Sequence, residues 1–221
     1  MMAKTLEIRK NVLAKNDEIA RENREFFQSR GLAALNFVSS PGAGKTSLIV
    51  RTINDLKARV NFAVIEGDQQ TDNDAKKIEQ TGAQVVQINT VSSCHLDADM
   101  IKKSLGSLDM DGAKYLFIEN VGNLVCPASY DLGEMMKVAV MSVTEGEDKP
   151  VKYPKMFRVS SALVITKTDL LPYLDFDVDL AVDYALKVNP AIKVFKVSVK
   201  NGEGLEGWYN FLLTLSDAAG R

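Results

Sequence analysis

Histidine occurs once in this 221-residue sequence, at position 95, and cysteine only twice, at positions 94 and 126. Two thiols are too few for a disulfide framework, and a reducing cytosol disfavours even one bridge. No run approaches the roughly 18 to 20 apolar residues of a membrane span, and residues 1–15 lack the continuous apolar core of a secretory signal. A formal net charge of −2 leaves no basic footprint for nucleic acid or an anionic membrane. Proline-rich linkers, low-complexity tracts and internal repeats are also missing. These absences point to a cytoplasmic protein that engages neither nucleic acid nor membrane.

What is present is globular. Hydrophobic residues make up 46% and charged residues 25%, enough for one domain with a filled core. Residues 7–27 are charged, with Leu13, Ile19 and Phe26 at loose helical spacing, which predicts a surface or partner-facing helix. After it, short apolar runs at 33–38, 62–65, 85–88, 115–118, 137–143, 162–166 and 194–197 predict strands. Helical patterns at 46–56, 72–80, 97–105, 177–188 and 205–215 fall between or after them. Apolar strands alternating with helices imply an α/β fold, a mostly parallel sheet with helices on both faces. The division expected is an N-terminal helical extension over 1–30 and one domain over 31–221.

Ser39-Ser40-Pro41-Gly42-Ala43-Gly44-Lys45-Thr46 joins the first strand to its helix, the context a P-loop requires. Gly42 and Gly44 let successive N–H groups turn toward phosphate oxygens, and the helix adds its positive end. Lys45 reaches the β- and γ-phosphates and Thr46 supplies a hydroxyl for Mg²⁺. Pro41, Ala43 and Ser47 complete the expected nucleotide cradle. Ser39 stands where the general pattern has its first glycine. A Gly-rich turn with an incidental Gly-Lys-Thr is the competing reading, which strand and helix in register set aside. Carboxylates for Mg²⁺ should stand at neighbouring strand ends. Asp68 and Glu119 do, and Gly122 follows as a candidate γ-phosphate sensor.

Thr166-Lys167-Thr168-Asp169 ends another strand in a Lys-x-Asp turn. A carboxylate at Asp169 accepts from N1–H and the 2-amino group of guanine and is repelled by the bare N1 of adenine. The stem of Lys167 can cover the base, and Ser198 and Lys200 are placed to close its other side. GTP is therefore expected over ATP. Guanine-binding proteins usually carry Asn where Thr166 stands; that amide ties the base loop to the P-loop, so the change bears on affinity more than on base identity.

Cys94, His95 and Cys126 follow two strands that end at the same sheet edge. Thiolate and imidazole suit Zn²⁺ or Ni²⁺. Adjacent Cys and His do not easily close one tetrahedral site, so two subunits sharing ligands is one reading. Two buried cysteines beside a surface histidine is the other.

Several stretches resemble the HypB family, GTPases that help insert nickel into [NiFe] hydrogenases. They are the P-loop, Glu66-Gly67-Asp68, Gln87-Ile88-Asn89-Thr90, Cys94-His95-Leu96-Asp97-Ala98, Thr144-Glu145-Gly146, Lys152-Tyr153-Pro154 and the highly specific Glu119-Asn120-Val121-Gly122-Asn123-Leu124-Val125-Cys126-Pro127. The resemblance implies a homodimer whose interface holds Ni²⁺ or Zn²⁺ on Cys94, His95 and Cys126. It also implies Mg²⁺ on Thr46, Asp68 and Glu119, and GTP hydrolysis involving Lys45. Asp74 would position the attacking water, and Lys152 would reach the nucleotide of the opposite subunit. HypA-type maturation proteins and a hydrogenase large-subunit precursor are the implied partners. Residues 1–30 hold neither the Cys-rich motif nor the His-rich tract of some members, so high-capacity nickel storage is not expected. The alternatives are a urease-type nickel GTPase, which the Asn-Leu-Val-Cys-Pro stretch argues against, and a metal-binding dimer that uses nucleotide only structurally. A small-molecule P-loop kinase would need a lid, and no Arg-rich segment supplies one.

Overall fold

The structure, a computed structural model, describes residues 2–68, 72–90 and 93–219, of which 2–10 and 216–219 are backbone only. Met1 and residues 220–221, at the ends of the two expected units, lie outside the described residues. Seven strands form one sheet: β1 (Ala33–Ser39), β2 (Asn61–Asp68), β3 (Gln84–Asn89), β4 (Ala113–Glu119), β5 (Met136–Ser142), β6 (Ser160–Thr166) and β7 (Lys193–Lys196). Their order is β3-β2-β4-β1-β5-β6-β7, and every pair is parallel. β1 is fully buried, as are nearly all of β4 and β6. Helices on both faces demand such apolar strands, and the run of seven matches the strands read from sequence.

The period-two alternation of β1 assigns its residues to the two faces. Ala33, Leu35 and Phe37 point to a core shared with α2 (Lys45–Leu56) and α8 (Leu205–Ala219), through Leu48, Ile53, Trp208 and Leu212. The opposite face is divided. Ala34 joins a cluster with Phe27 of α1 (Met2–Ser29) and Ile101 of α4 (Ala98–Leu105). Val38 joins another with Met156 and Phe157 of α6 (Pro154–Val159) and Ala181 of α7 (Val178–Val188). Asn36, between them on the strand, is fully buried and polar. The helix α3 (Asn73–Glu79) sends Ile78 into the first core.

α1 is docked along this second face. Its Asn16 and Asn23 are buried; Asn16 Nδ2 donates to Asp131 O, and Asn23 Nδ2 donates to the carbonyls of Ala98 and Leu132. Arg24 forms a two-pronged pair with Asp131. A Cβ on Gly133 would lie 2.6 Å from Ala20 O, so only glycine lets the helix come this close. Two short helices, α5 (Lys149–Lys152) and α6, make the crossover from β5 to β6, and each has proline in its first turn. No described helix is long and apolar enough to cross a membrane.

Candidate functional site

Parallel strands open their ligand crevice at the C-terminal edge, and the loops after β1, β2, β4 and β6 meet there. The turn after β1 holds Gly42 at φ 76° and Gly44 at φ 89°, left-handed values that favour glycine and aim N–H groups into the turn. Lys45 Nζ donates to Ser39 Oγ at 3.1 Å and lies 3.8 Å from Glu119 Oε1. Thr46 Oγ1 donates to the same carboxylate oxygen at 2.7 Å. The cavity in front, about 520 Å³, is lined by residues 41–47, Glu66, Asp68, Asp74, Glu119, Gly122 and Lys167 among others. A Cβ on Gly122 would sit 3.0 Å from both Pro41 N and Cα, so the segment after β4 rests directly on the P-loop.

Glu66 and Glu119 are register neighbours on β2 and β4. Burial pushes the Glu66 carboxyl up to about 8, with Glu119 and then Asp68 adding repulsion. Burial also raises Glu119, against the opposing pull of Lys45 and the Thr46 hydrogen bond. The Oε2 atoms of both have no hydrogen-bond partner among the described residues. A pair of buried, unsatisfied carboxylate oxygens beside a hydroxyl is a hard-donor set that fits Mg²⁺. Sequence reasoning had Glu119 and Asp68 here but passed over Glu66, whose place two residues before Asp68 on the same strand face was the available signal.

A second cavity, about 340 Å³, is lined by Gly44, Ser47, Thr166, Lys167, Asp169, Leu170, Val199 and Lys200. Lys167 is the one non-glycine residue at positive φ among those described, 61°, a conformation that costs about 1–3 kcal/mol. Two contacts hold it: Lys167 Nζ donates to Gly42 O at 2.8 Å, and Thr166 Oγ1 donates to Ala43 O at 2.6 Å. The threonine hydroxyl thus makes the P-loop tie for which an Asn amide is usual. Ser198 is fully buried, outside this lining, and donates to Asp169 Oδ1 at 2.7 Å, fixing the carboxylate from behind. Val199 lines the cavity beside Lys200, in the stretch after the last strand that was expected to close the base site.

Lys152 lines neither cavity; it is exposed and paired with Asp148 at 2.7 Å. Asp74 lines the first cavity and pairs with Lys77. Lys149, unremarked in the sequence, donates to Ser40 Oγ in the P-loop at 2.7 Å while paired with Glu145.

Cys94, His95 and Cys126 converge. Their ligand atoms all lie within 4.8 Å of one another, with Cys94 Sγ 2.9 Å from Cys126 Sγ and 3.7 Å from His95 Nδ1. Both cysteines are free thiols, half-buried. The Cys126 contact and burial hold the Cys94 thiol above its usual range. Burial lowers His95, opposed by Asp97, which favours the neutral imidazole that ligates metals. The ring of His95 lies against Tyr130 at 3.9 Å. Three such atoms at this spacing could supply one face of a coordination shell for a thiophilic divalent ion.

The family model described as CobW/HypB/UreG, nucleotide-binding domain, matches residues 33–196. The chain is 55% identical over 207 residues to the hydrogenase maturation factor HypB of Rhizobium leguminosarum bv. viciae, covering 94% of this chain and 69% of that one. It is 54% identical to the Escherichia coli K12 factor of the same name over 209 residues, 95% and 72% of the two chains. The crystal structure of HypB from Helicobacter pylori in complex with nickel superimposes with a TM-score of 0.86 at 40% identity, covering 92% of this chain and 96% of that one. By sequence and fold, the chain belongs to the HypB family of hydrogenase maturation factors, P-loop proteins of the GTPase type.

Proposed function

We propose that this protein is a GTP-hydrolysing metallochaperone that delivers nickel during [NiFe] hydrogenase maturation, with GTP and metal both linked to homodimerisation. The observation that carries this reading is the placement of a dithiol–imidazole triad beside a phosphate cavity, with residues 119–126 common to both. The names of the relatives supply nickel as cargo and hydrogenase as destination.

In this reading Asp169, held by Ser198, accepts from guanine, and Lys167 covers the base from its left-handed perch. Residues 41–47 enclose the phosphates and Lys45 neutralises them. Thr46, Glu119 and Asp68 would hold Mg²⁺, which supplies charge neutralisation at the β- and γ-phosphates. Asp74 orients a water whose oxygen bonds to the γ-phosphorus as the bond to the β–γ bridging oxygen breaks. Catalysis is positioning and charge compensation. Lys152 reaches the partner's nucleotide. HypA-type proteins and the hydrogenase precursor are the proteins that load and receive the metal.

Three ligand atoms leave a tetrahedral ion one short, and a second copy bringing its own triad completes the shell. Whatever binds dimer better than monomer promotes dimer and is held more tightly in return. Light-scattering mass measured with Ni²⁺, and with GDP or a non-hydrolysable GTP analogue, tests this. Ni²⁺ is expected to raise the dimer fraction, more with the analogue. Replacing Cys94 and Cys126 together by Ala is expected to abolish the metal response and leave GTP affinity within about twofold. Wild-type nickel stoichiometry in that variant would place the site elsewhere. Single-turnover hydrolysis of GTP separates this reading from a dimer that uses nucleotide only structurally.

A further inference from the structure

Among the described residues the two apolar clusters on the second face of the sheet are separate. A buried polar seam runs between them. Asn120 Nδ2 donates to Asn36 Oδ1 at 3.2 Å, and Asn36 Nδ2 donates to Glu134 Oε1 at 3.2 Å. Glu134 is ion-paired with Lys137, the register neighbour of Asn36 on β5, and its Oε2 accepts from Leu132 N. All four side chains are at most 8% exposed. Buried polar groups of this kind cost stability unless each is satisfied. Here they are satisfied, and the seam ends at the metal triad by two routes.

The first route is one carboxamide. Asn120 Oδ1 accepts from Leu96 N at 3.1 Å and from Val121 N at 3.0 Å. Leu96 follows His95, and Val121 precedes Gly122, the residue resting on the P-loop. One oxygen therefore pins the metal-bearing loop and the phosphate-facing segment to each other. The Leu96 side chain is seated as firmly: a Cβ on Gly67, next to Asp68, would lie 2.8 Å from it. In the second route Lys137 Nζ donates to Tyr130 O at 2.9 Å, and the Tyr130 ring backs His95.

We propose that Asn120, braced by Asn36, Glu134 and Lys137, is the positioning residue through which the nucleotide site sets the geometry of Cys94, His95 and Cys126. A change in the residue 119–122 segment cannot leave the Leu96 amide behind, because both hang on the same atom. Asn36 touches neither ligand site; it fixes the direction of that atom from across β1. The inference rests on the nucleotide–metal linkage proposed above and assigns the residues that carry it.

The test is Ni²⁺ affinity of the full chain, with Mg²⁺ and either GDP or a non-hydrolysable GTP analogue, followed by the nickel–thiolate absorption. The quantity read is the ratio of the two nickel dissociation constants. In the wild type this ratio departs from one. Asn120→Ala is expected to bring it to within about twofold of one and to shift the absorption band, with nickel still bound. Asn36→Leu, similar in size and flanked by apolar clusters, is expected to do the same with GTP affinity unchanged within about twofold, and it carries the test if Asn120→Ala does not fold. A purely structural role predicts lower melting temperatures with the wild-type ratio intact, and that result in either folded variant overturns the proposal. A wild-type ratio of one instead removes the linkage itself, and both readings fall together.

Discussion

The phosphate cradle and the thiol triad lie on the same sheet edge and are built in opposite ways. The cradle is made largely of backbone, fixed by two left-handed glycines and by a lysine, a threonine and a glutamate that already engage one another. Its ligand meets groups whose ordering cost has been met by folding. The triad is made of side chains on two irregular segments, half exposed, with the Cys94 thiol held protonated by its contact with Cys126 and by burial. Such a site is unfinished, and its ion must displace protons and recruit further donors. One region is ordered before its ligand arrives; the other, in the proposed function, suits a cargo that has to leave.

The largest loss is expected at the phosphate cradle. Lys45→Ala removes a 10%-exposed ammonium and its charge-assisted phosphate contacts, each about 1.5–3 kcal/mol. GTP affinity should fall roughly 10²- to 10⁴-fold on losing two such contacts, while nickel binding in the absence of nucleotide stays within about twofold. Isothermal titration of each ligand reads both, and equal losses would mean that the two sites are not separately built.

Next in size is the base. Asp169→Asn should lower GTP affinity by about 10²-fold, the loss of two hydrogen bonds to a charged group at the low end of their range, and raise XTP affinity because the amide donates to the 2-oxo group. Competition between labelled GTP and XTP reads the exchange. Since Ser198 Oγ donates to Asp169 Oδ1, the amide oxygen can keep that contact and leave its NH₂ toward the base.

The smallest effect sharpens the contrast in protonation. Glu66 binds its proton up to about pH 8 in the folded, nucleotide-free protein, against an ordinary 4.5. Between these values the unfolded chain releases that proton and the folded one keeps it, so this group's contribution to stability falls as pH rises from about 4.5 to 8. Glu66→Gln, neutral at every pH, should raise the melting temperature of the nucleotide-free protein at pH 8 by a few degrees, corresponding to about 1–2 kcal/mol. The gain should shrink toward pH 5. A gain independent of pH would assign it to something other than this carboxyl.

Elements with strong periodicity were legible in the sequence. β1, β4, β5 and β6 announce themselves as apolar runs because both faces are covered, and the P-loop because its glycines sit between strand and helix. Convergence of Cys94 with Cys126 followed from β3 and β4, which flank β2, ending at the same edge of the sheet. The crossover through α5 and α6 was silent: four and six residues are too short for a period to show. Lys149 was silent too, since its partner Ser40 is distant in the chain. So was the seam of Asn36, Asn120, Glu134 and Lys137, in which every residue reads as surface polar until its partner, often some 90 positions away, is brought beside it.

The docking of α1 has a consequence for the order in which the molecule is made. Asn16 donates to a carbonyl 115 positions later in the chain, and Gly133 accepts the helix where Ala20 passes. At about 5–20 residues per second, Asn16 waits roughly 6 to 23 seconds after its own synthesis before its partner exists. β1 waits as well, because its two neighbours are β4 and β5. Both α1 and β1 therefore spend much of translation without these partners, and the centre of the sheet is complete only when residues 136–142 arrive.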